Sequence, residues 1–107
     1  MPKSILPSEI KIIIFACEAG IGSSLMSLNA LKKKLKAANI TNLNVVHSAT
    51  ANIPSTAQFI VCHNGIKKSV QAKAPNAVVV GFNLFFNDPV FDKIVKAIVA
   101  NTEITEQ

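Results

Sequence analysis

A cysteine, two glycines and two serines crowd the run Cys17-Glu18-Ala19-Gly20-Ile21-Gly22-Ser23-Ser24. Ahead of it stands an apolar, β-branched stretch, Ile12-Ile13-Ile14-Phe15-Ala16, and behind it a pattern with helical spacing begins. A strand that gives way to a small-residue turn and a helix start gathers unpaired backbone N–H groups around one point. The positive end of the helix dipole falls there too. Such a point suits an anion. A thiol held there ionises more easily and can carry a phosphoryl group. Cys17 is therefore the candidate nucleophile of this chain.

Neighbouring chemistries fit less well. Gly20-x-Gly22 begins a dinucleotide fingerprint, but Leu25 stands where the third glycine belongs, and no acidic residue ends the second expected strand. The Gly-Lys-Ser/Thr of a nucleoside-triphosphate loop is absent. A cysteine phosphatase would place an arginine where Ser23 stands, to grip the phosphate and assist its transfer to water. All 11 basic residues are lysine, so the chain contains no arginine at all. A loop built this way would hold a phosphorylated thiol by amides and serine hydroxyls. Weak assistance toward water is an advantage if the group must be passed to another acceptor.

The remaining candidates have plainer readings. Cys62 sits inside an apolar strand and is read as core. His63 follows it, and either bonds the Cys17 loop and assists proton balance or caps the turn His63-Asn64-Gly65. His47 is expected at the surface end of a strand. No Cys/His spacing resembles a metal site, and no cofactor is expected.

The elements that must position Cys17 follow from pattern. The 107 residues fit one domain, and 50% apolar content is enough for a core without staples. A net charge of +5 favours anionic ligands or an acidic protein partner. It is too scattered for nucleic acid, and six Phe with no Trp or Tyr supply few stacking platforms for bases. Two cysteines do not make a secreted scaffold, so reduced thiols and a cytoplasmic setting are expected. No run is long enough to span a bilayer. The apolar run before Cys17 is broken by Lys11 and falls short of a signal-peptide core.

Residues 1–9, with Pro2 and Pro7, read as a flexible leader or linker, and residues 101–107 as a polar tail around a domain spanning 10–100. Within it, strands are expected over Ile10 to Ala16, Leu43 to His47, Phe59 to Cys62 and Ala77 to Val80. Helices are expected from Gly22 to about Ala38, Ile66 to about Ala74, and from Asp88-Pro89 onward. Asn39 suits a left-handed helix cap, and a helical turn fits around Ala49 to Asn52. Helical crossovers between strands imply an α/β fold. Its four-stranded parallel sheet takes the order 2-1-3-4, with three helices packed on both faces. The first and third strands are then neighbours, and Cys17 and His63 stand together at the switch point where such sheets bind ligands.

The run from Lys11 to Met26 strongly resembles the start of enzyme IIB of the bacterial phosphoenolpyruvate-dependent sugar phosphotransferase system, mannitol type. The similarity continues through Leu31-Lys32-Lys33-Lys34, Asn44-Val45, Ile53-Pro54, the strand ending at His63, Ala74-Pro75 and the final helix. The resemblance implies that Cys17 is a phosphocysteine. It would be loaded by a histidine of the IIA component and discharged to a sugar, a hexitol such as mannitol, bound in the membrane IIC component. It further implies a phosphate cradle of Glu18, Ala19, Gly20, Ile21, Gly22, Ser23 and Ser24, with the Ser24 hydroxyl on the sulfur or phosphate. The family's mannitol protein carries Arg-Asp after its histidine, whereas Asn64-Gly65 follow His63 here. Ile21, Leu25 and Met26 are candidates for transient docking of partners, or for local packing. A non-catalytic regulatory domain that keeps the same loop is the main alternative, and a phosphatase-like thiol enzyme the lesser one.

Overall fold

The computed structural model describes residues 4–17, 23–40, 43–83 and 89–105, with the backbone alone at 17 and 23–26. Its elements in order are β1 (Ser4–Ile5), β2 (Ile12–Cys17), α1 (Ser23–Ala37), β3 (Asn44–Ala49), β4 (Phe59–His63), α2 (Lys67–Lys73), β5 (Val78–Phe82), α3 (Pro89–Ala100) and β6 (Ile104–Thr105). Short 3-10 turns occupy Pro7–Glu9, Thr50–Asn52 and Asn64–Ile66. The main sheet is parallel, in the order β3-β2-β4-β5. Counted from the first of these strands, that is the expected 2-1-3-4.

The strand sequences account for the layering. β2 and β4 are central and lack a polar face, so both sides must be covered. Ile13 and Phe15 of β2, with Phe59 and Val61 of β4, enter one core cluster. There they meet Leu28, Leu31 and Leu35 of α1 and Val90, Phe91 and Ile94 of α3. Ile14 and Ala16, with Ile60 and Cys62, enter a second cluster with Val70 of α2, Ala74 and Ile53. Alternate residues thus serve opposite faces, and helices lie on both. The first face is the thicker one, where the rings of Phe15, Phe82 and Phe91 meet at centroid separations of 5.2–6.4 Å. Burial of each such ring makes this face costly to disrupt, with Phe→Ala changes worth about 3–5 kcal/mol.

Two helices stop by the same device. Asn39 and Asn101 adopt φ of 61° and 54°. After α1, the Asn39 N–H donates to Lys36 O and the Ile40 N–H to Leu35 O; after α3, Asn101 donates to Ile98 O and Thr102 to Ala97 O. Both are Schellman closures that use the tolerance of asparagine for left-handed backbone. The first matches the cap expected at Asn39; the second falls where the sequence suggests only a polar tail.

The ends of the chain differ from expectation. Ser4–Ile5 pairs antiparallel with Ile104–Thr105 in a separate two-stranded sheet. Ile104 is buried in the first core cluster, and Ile5 packs against it. The leader and tail hold one apolar residue each at the pairing register, too few to show a strand period. Long-range packing decides their structure. β3 also runs two residues beyond His47, and His47 lies exposed within the strand, not at its end. No helix of the described residues is long and apolar enough to cross a membrane.

Candidate functional site

Cys17 is the last residue of β2, and α1 begins six positions later at Ser23. β2 lies between β3 and β4, and the chain leaves it and β4 for helices on opposite faces of the sheet. Its carboxyl end is therefore the switch point where open α/β sheets take ligands. α1 has 15 residues, long enough for a developed dipole. Ser23 and Ser24 are the first two residues of that helix. Glu18, Ala19, Gly20, Ile21 and Gly22 lie outside the described residues.

Strand register fixes the neighbours of Cys17. On one side Cys17 pairs with Ala49 of β3. On the other, Ala16 pairs with Cys62, which sets His63 beside Cys17 as the register continues. Neighbouring strands run about 4.8 Å apart, so Ala49 and His63 flank the cysteine closely.

The His63 side is fully braced. The Gly65 N–H donates to His63 Nδ1 at 3.0 Å. The ring proton then resides on Nε2, which lies 3.2 Å from Asn83 O and donates to it. The ring also sets its edge against Phe82, with centroids 5.6 Å apart. Asn64 Nδ2 donates to Asn83 Oδ1 at 2.7 Å. The side chain of Asn64 lies across Gly81, where a Cβ would overlap its Oδ1. His63 caps its turn and, through Asn83, ties the ends of β4 and β5; its other expected role, toward the Cys17 loop, falls on residues outside those described. The meeting of Asn64, Gly81 and Asn83 is not legible in sequence, because it depends on a pairing between segments about 20 residues apart.

Cys62 points into the second core and is fully buried. Burial pushes its thiol up to about 12 from an ordinary 9.0, against the smaller opposing pull of the Lys67 ammonium. At neutral pH it is a protonated, inert thiol, as its apolar strand suggested. On the other flank the hydroxyl of Ser48 donates to Ala49 O at 3.1 Å. Thr50 Oγ1, one residue past the end of β3, is buried without a hydrogen-bond partner.

Residues 12–97 match the family model described as PTS system, Lactose/Cellobiose specific IIB subunit. The chain belongs to this IIB family. Curated relatives include the mannitol-specific EIICB component of Bacillus subtilis (strain 168), 36% identical over 90 residues, or 84% of this chain and 19% of that protein. The mannitol-specific EIICBA component of Buchnera aphidicola subsp. Acyrthosiphon pisum is 36% identical over 94 residues, or 88% of this chain and 15% of the relative. The IIB chain thus spans less than a fifth of the length of these relatives. Among solved structures, the lactose-specific IIB component domain from Streptococcus pneumoniae matches with a TM-score of 0.55. It is 15% identical, with 84% of this chain and 91% of that one covered. That likeness shows that this IIB chain shares the fold.

Proposed function

We propose that this IIB domain carries a phosphoryl group on Cys17 during sugar uptake. It accepts the group from the phosphohistidine of a IIA component and gives it to a sugar held in a IIC membrane permease. The observation that carries the reading is the placement of Cys17 at the switch point of the sheet, between β2 and the start of a 15-residue helix, in a chain of the IIB family. Mannitol or a related hexitol is the sugar favoured. The family description names lactose and cellobiose, but the mannitol relatives share 36% of residues against 15% for the lactose-specific structure. The domain would work in the cytoplasm at the inner face of the membrane, beside the permease whose C component the relatives' names join to B.

The chemistry follows from the position. Thiols at helix N-termini ionise at roughly pH 3.5–7.5, so a thiolate is at hand near neutrality. That thiolate attacks phosphorus in line; the P–N bond to the donor imidazole breaks, and the imidazole keeps the electron pair and takes up a proton. In the second step a sugar hydroxyl attacks, loses its proton, and the Cys17 thiolate departs. Neither step needs covalent help beyond the sulfur; both need positioning and charge neutralisation. The amides from Glu18 to Gly22 and the first residues of α1, Ser23 and Ser24, are the proposed cradle. The absence of arginine removes the group that would best stabilise attack by water.

Intact-mass analysis after incubation with phosphoenolpyruvate, the general components and IIA tests this. One added phosphoryl group, lost in Cys17→Ser, is expected. Rapid hydrolysis of a small aryl phosphate by the isolated domain would count for a phosphatase instead.

A further inference from the structure

We propose that the outer face of α1 and α3 docks the domain on an anionic lipid surface. Along the chain the positive charge is scattered, but the fold gathers it. α1 and α3 cover the same face of the sheet, where they share one core cluster, and together they carry six lysines and one aspartate. That surplus of five equals the net charge of the whole chain; the other five lysines are matched in number by the other five acidic residues. The one aspartate is already used, since Asp92 pairs with Lys34 at 2.9 Å and ties the two helices together. Lys32, Lys33, Lys36, Lys93 and Lys96 are exposed, and among the described residues no carboxylate pairs with them.

The helical period sets their directions. Leu31 and Ile94 point into the core. Two residues on, a rotation of about 200° turns Lys33 and Lys96 straight away from the sheet. Lys34 and Asp92 mark the seam between the helices, so Lys32 and Lys36 fall on the far side of α1 and Lys93 on the far side of α3. The basic face thus spans both helices. Complementing the helix dipoles does not account for it, because that effect fades within the last turn. The last turn of α3 holds no basic residue, and Lys32 and Lys33 precede the last turn of α1.

The chemistry selects the partner. A protein carboxylate or nucleic-acid phosphate held in a fixed place favours the planar fork of arginine, and stacked bases favour aromatic rings. The chain has no arginine, and the rings of Phe15, Phe59, Phe82 and Phe91 are buried. Long, mobile ammonium groups suit a fluid layer of anionic headgroups, which demands no fixed register; clusters of about four to eight basic residues beside a membrane bind such layers. A basic face of this kind suits a place beside a permease, and it stands whether or not Cys17 carries a phosphoryl group. Docked this way, the sheet lies flat to the bilayer and the carboxyl ends of its strands open along the surface.

Two double variants of equal net charge test this. Lys33→Gln/Lys96→Gln alters the proposed face, and Lys68→Gln/Lys73→Gln alters exposed lysines of α2 on the opposite face. Each is compared with the native chain for co-sedimentation with phosphatidylcholine vesicles containing about one-third phosphatidylglycerol, for co-sedimentation with phosphatidylcholine alone, and for the thermal midpoint. The native chain should bind the anionic vesicles only, and should be released as salt rises to about 0.5 M. Lys33→Gln/Lys96→Gln should weaken binding at least about tenfold and Lys68→Gln/Lys73→Gln less than about threefold, with midpoints unchanged. No binding to anionic vesicles at low salt, equal binding to neutral ones, or equal losses in the two variants would overturn the inference and leave the carrier reading standing. So would tighter binding of a single-stranded oligonucleotide than of the vesicles. A native chain that binds the vesicles but takes no phosphoryl on Cys17 would overturn the carrier reading alone.

Discussion

The two strands that flank Cys17 end in opposite ways. On the β4 side the described rim is cross-tied: His63 spends Nδ1 on Gly65 and Nε2 on Asn83, and Asn64 donates to the Asn83 side chain. On the β3 side the Thr50 hydroxyl is buried and unengaged. Groups that are already satisfied brace; they have little left to offer a ligand. A buried donor without a partner is the opposite case, a cost in the resting fold. The contrast is one of commitment: the His63 ring is held at both nitrogens, whereas the Thr50 hydroxyl has no partner.

The largest expected effect falls on the residue between the two flanks. Cys17→Ser should abolish stable phosphoryl loading, whereas Cys62→Ala should load at close to the native rate; quantitative labelling with a radioactive phosphoryl donor compares them. Loading that fails in Cys62→Ala alone would exchange the roles of the two thiols. Next comes the braced flank. Gly81→Ala forces Asn64 off its seat and breaks the tie to Asn83, at a cost of about 1–3 kcal/mol in denaturant unfolding. Adding Asn64→Ala to Gly81→Ala should return part of that loss, because the overlap is with the Asn64 side chain. A simple sum of the two single costs would contradict the geometry.

His63→Ala should cost about 1–2 kcal/mol, through the lost turn cap and the lost tie, and should still accept a phosphoryl group. His63→Asn, which keeps a cap acceptor, should recover part of the stability. A protein that folds normally but cannot be loaded would place His63 in the chemistry and undo the contrast between the flanks.

The remaining prediction concerns pH and the buried thiol. The Cys62 pKa rises from 9.0 to about 12 on folding, so the protonated form is favoured in the native state. Below pH 9 that contributes nothing to the slope. Above it the unfolded chain releases the proton while the native chain retains it, so stability falls with rising pH up to about 12, by roughly 1 kcal/mol per pH unit. Unfolding midpoints between pH 8 and 11 should show a shallower decline in Cys62→Ala than in the native protein. Parallel curves would mean that the lysines alone set the alkaline limb.

Much of this was legible in the residues because it is local. Ile12 to Ala16 announces a strand buried on both faces, and a cysteine followed by small residues and a helical period announces the strand-to-helix junction without any long-range information. Asp88-Pro89 and the spacing of Phe91, Ile94 and Ile98 likewise announced the last helix, seen as Pro89–Ala100; Asp88 itself lies outside the described residues. What could not be read depends on residues far apart in the chain. Ser4-Ile5 and Ile104-Thr105 carry no period of their own and form strands only because they meet. Gly81 looked like the end of a strand, and only the fold shows that its missing Cβ makes room for Asn64. Thr50 carries no signal among small polar residues, since the burial of its hydroxyl depends on how the turn after β3 packs. Asn101 shares its cap with Asn39, but the polar residues after it hid the signal.

Peptide mapping of the phosphorylated protein is the most direct measurement. Cleavage after lysine separates Ile12–Lys32, which holds Cys17, from Ala37–Lys67, which holds His47, Cys62 and His63. The account places the whole label on Ile12–Lys32, bound through sulfur at Cys17. Label on Ala37–Lys67, with Cys17 left unmodified, would contradict it.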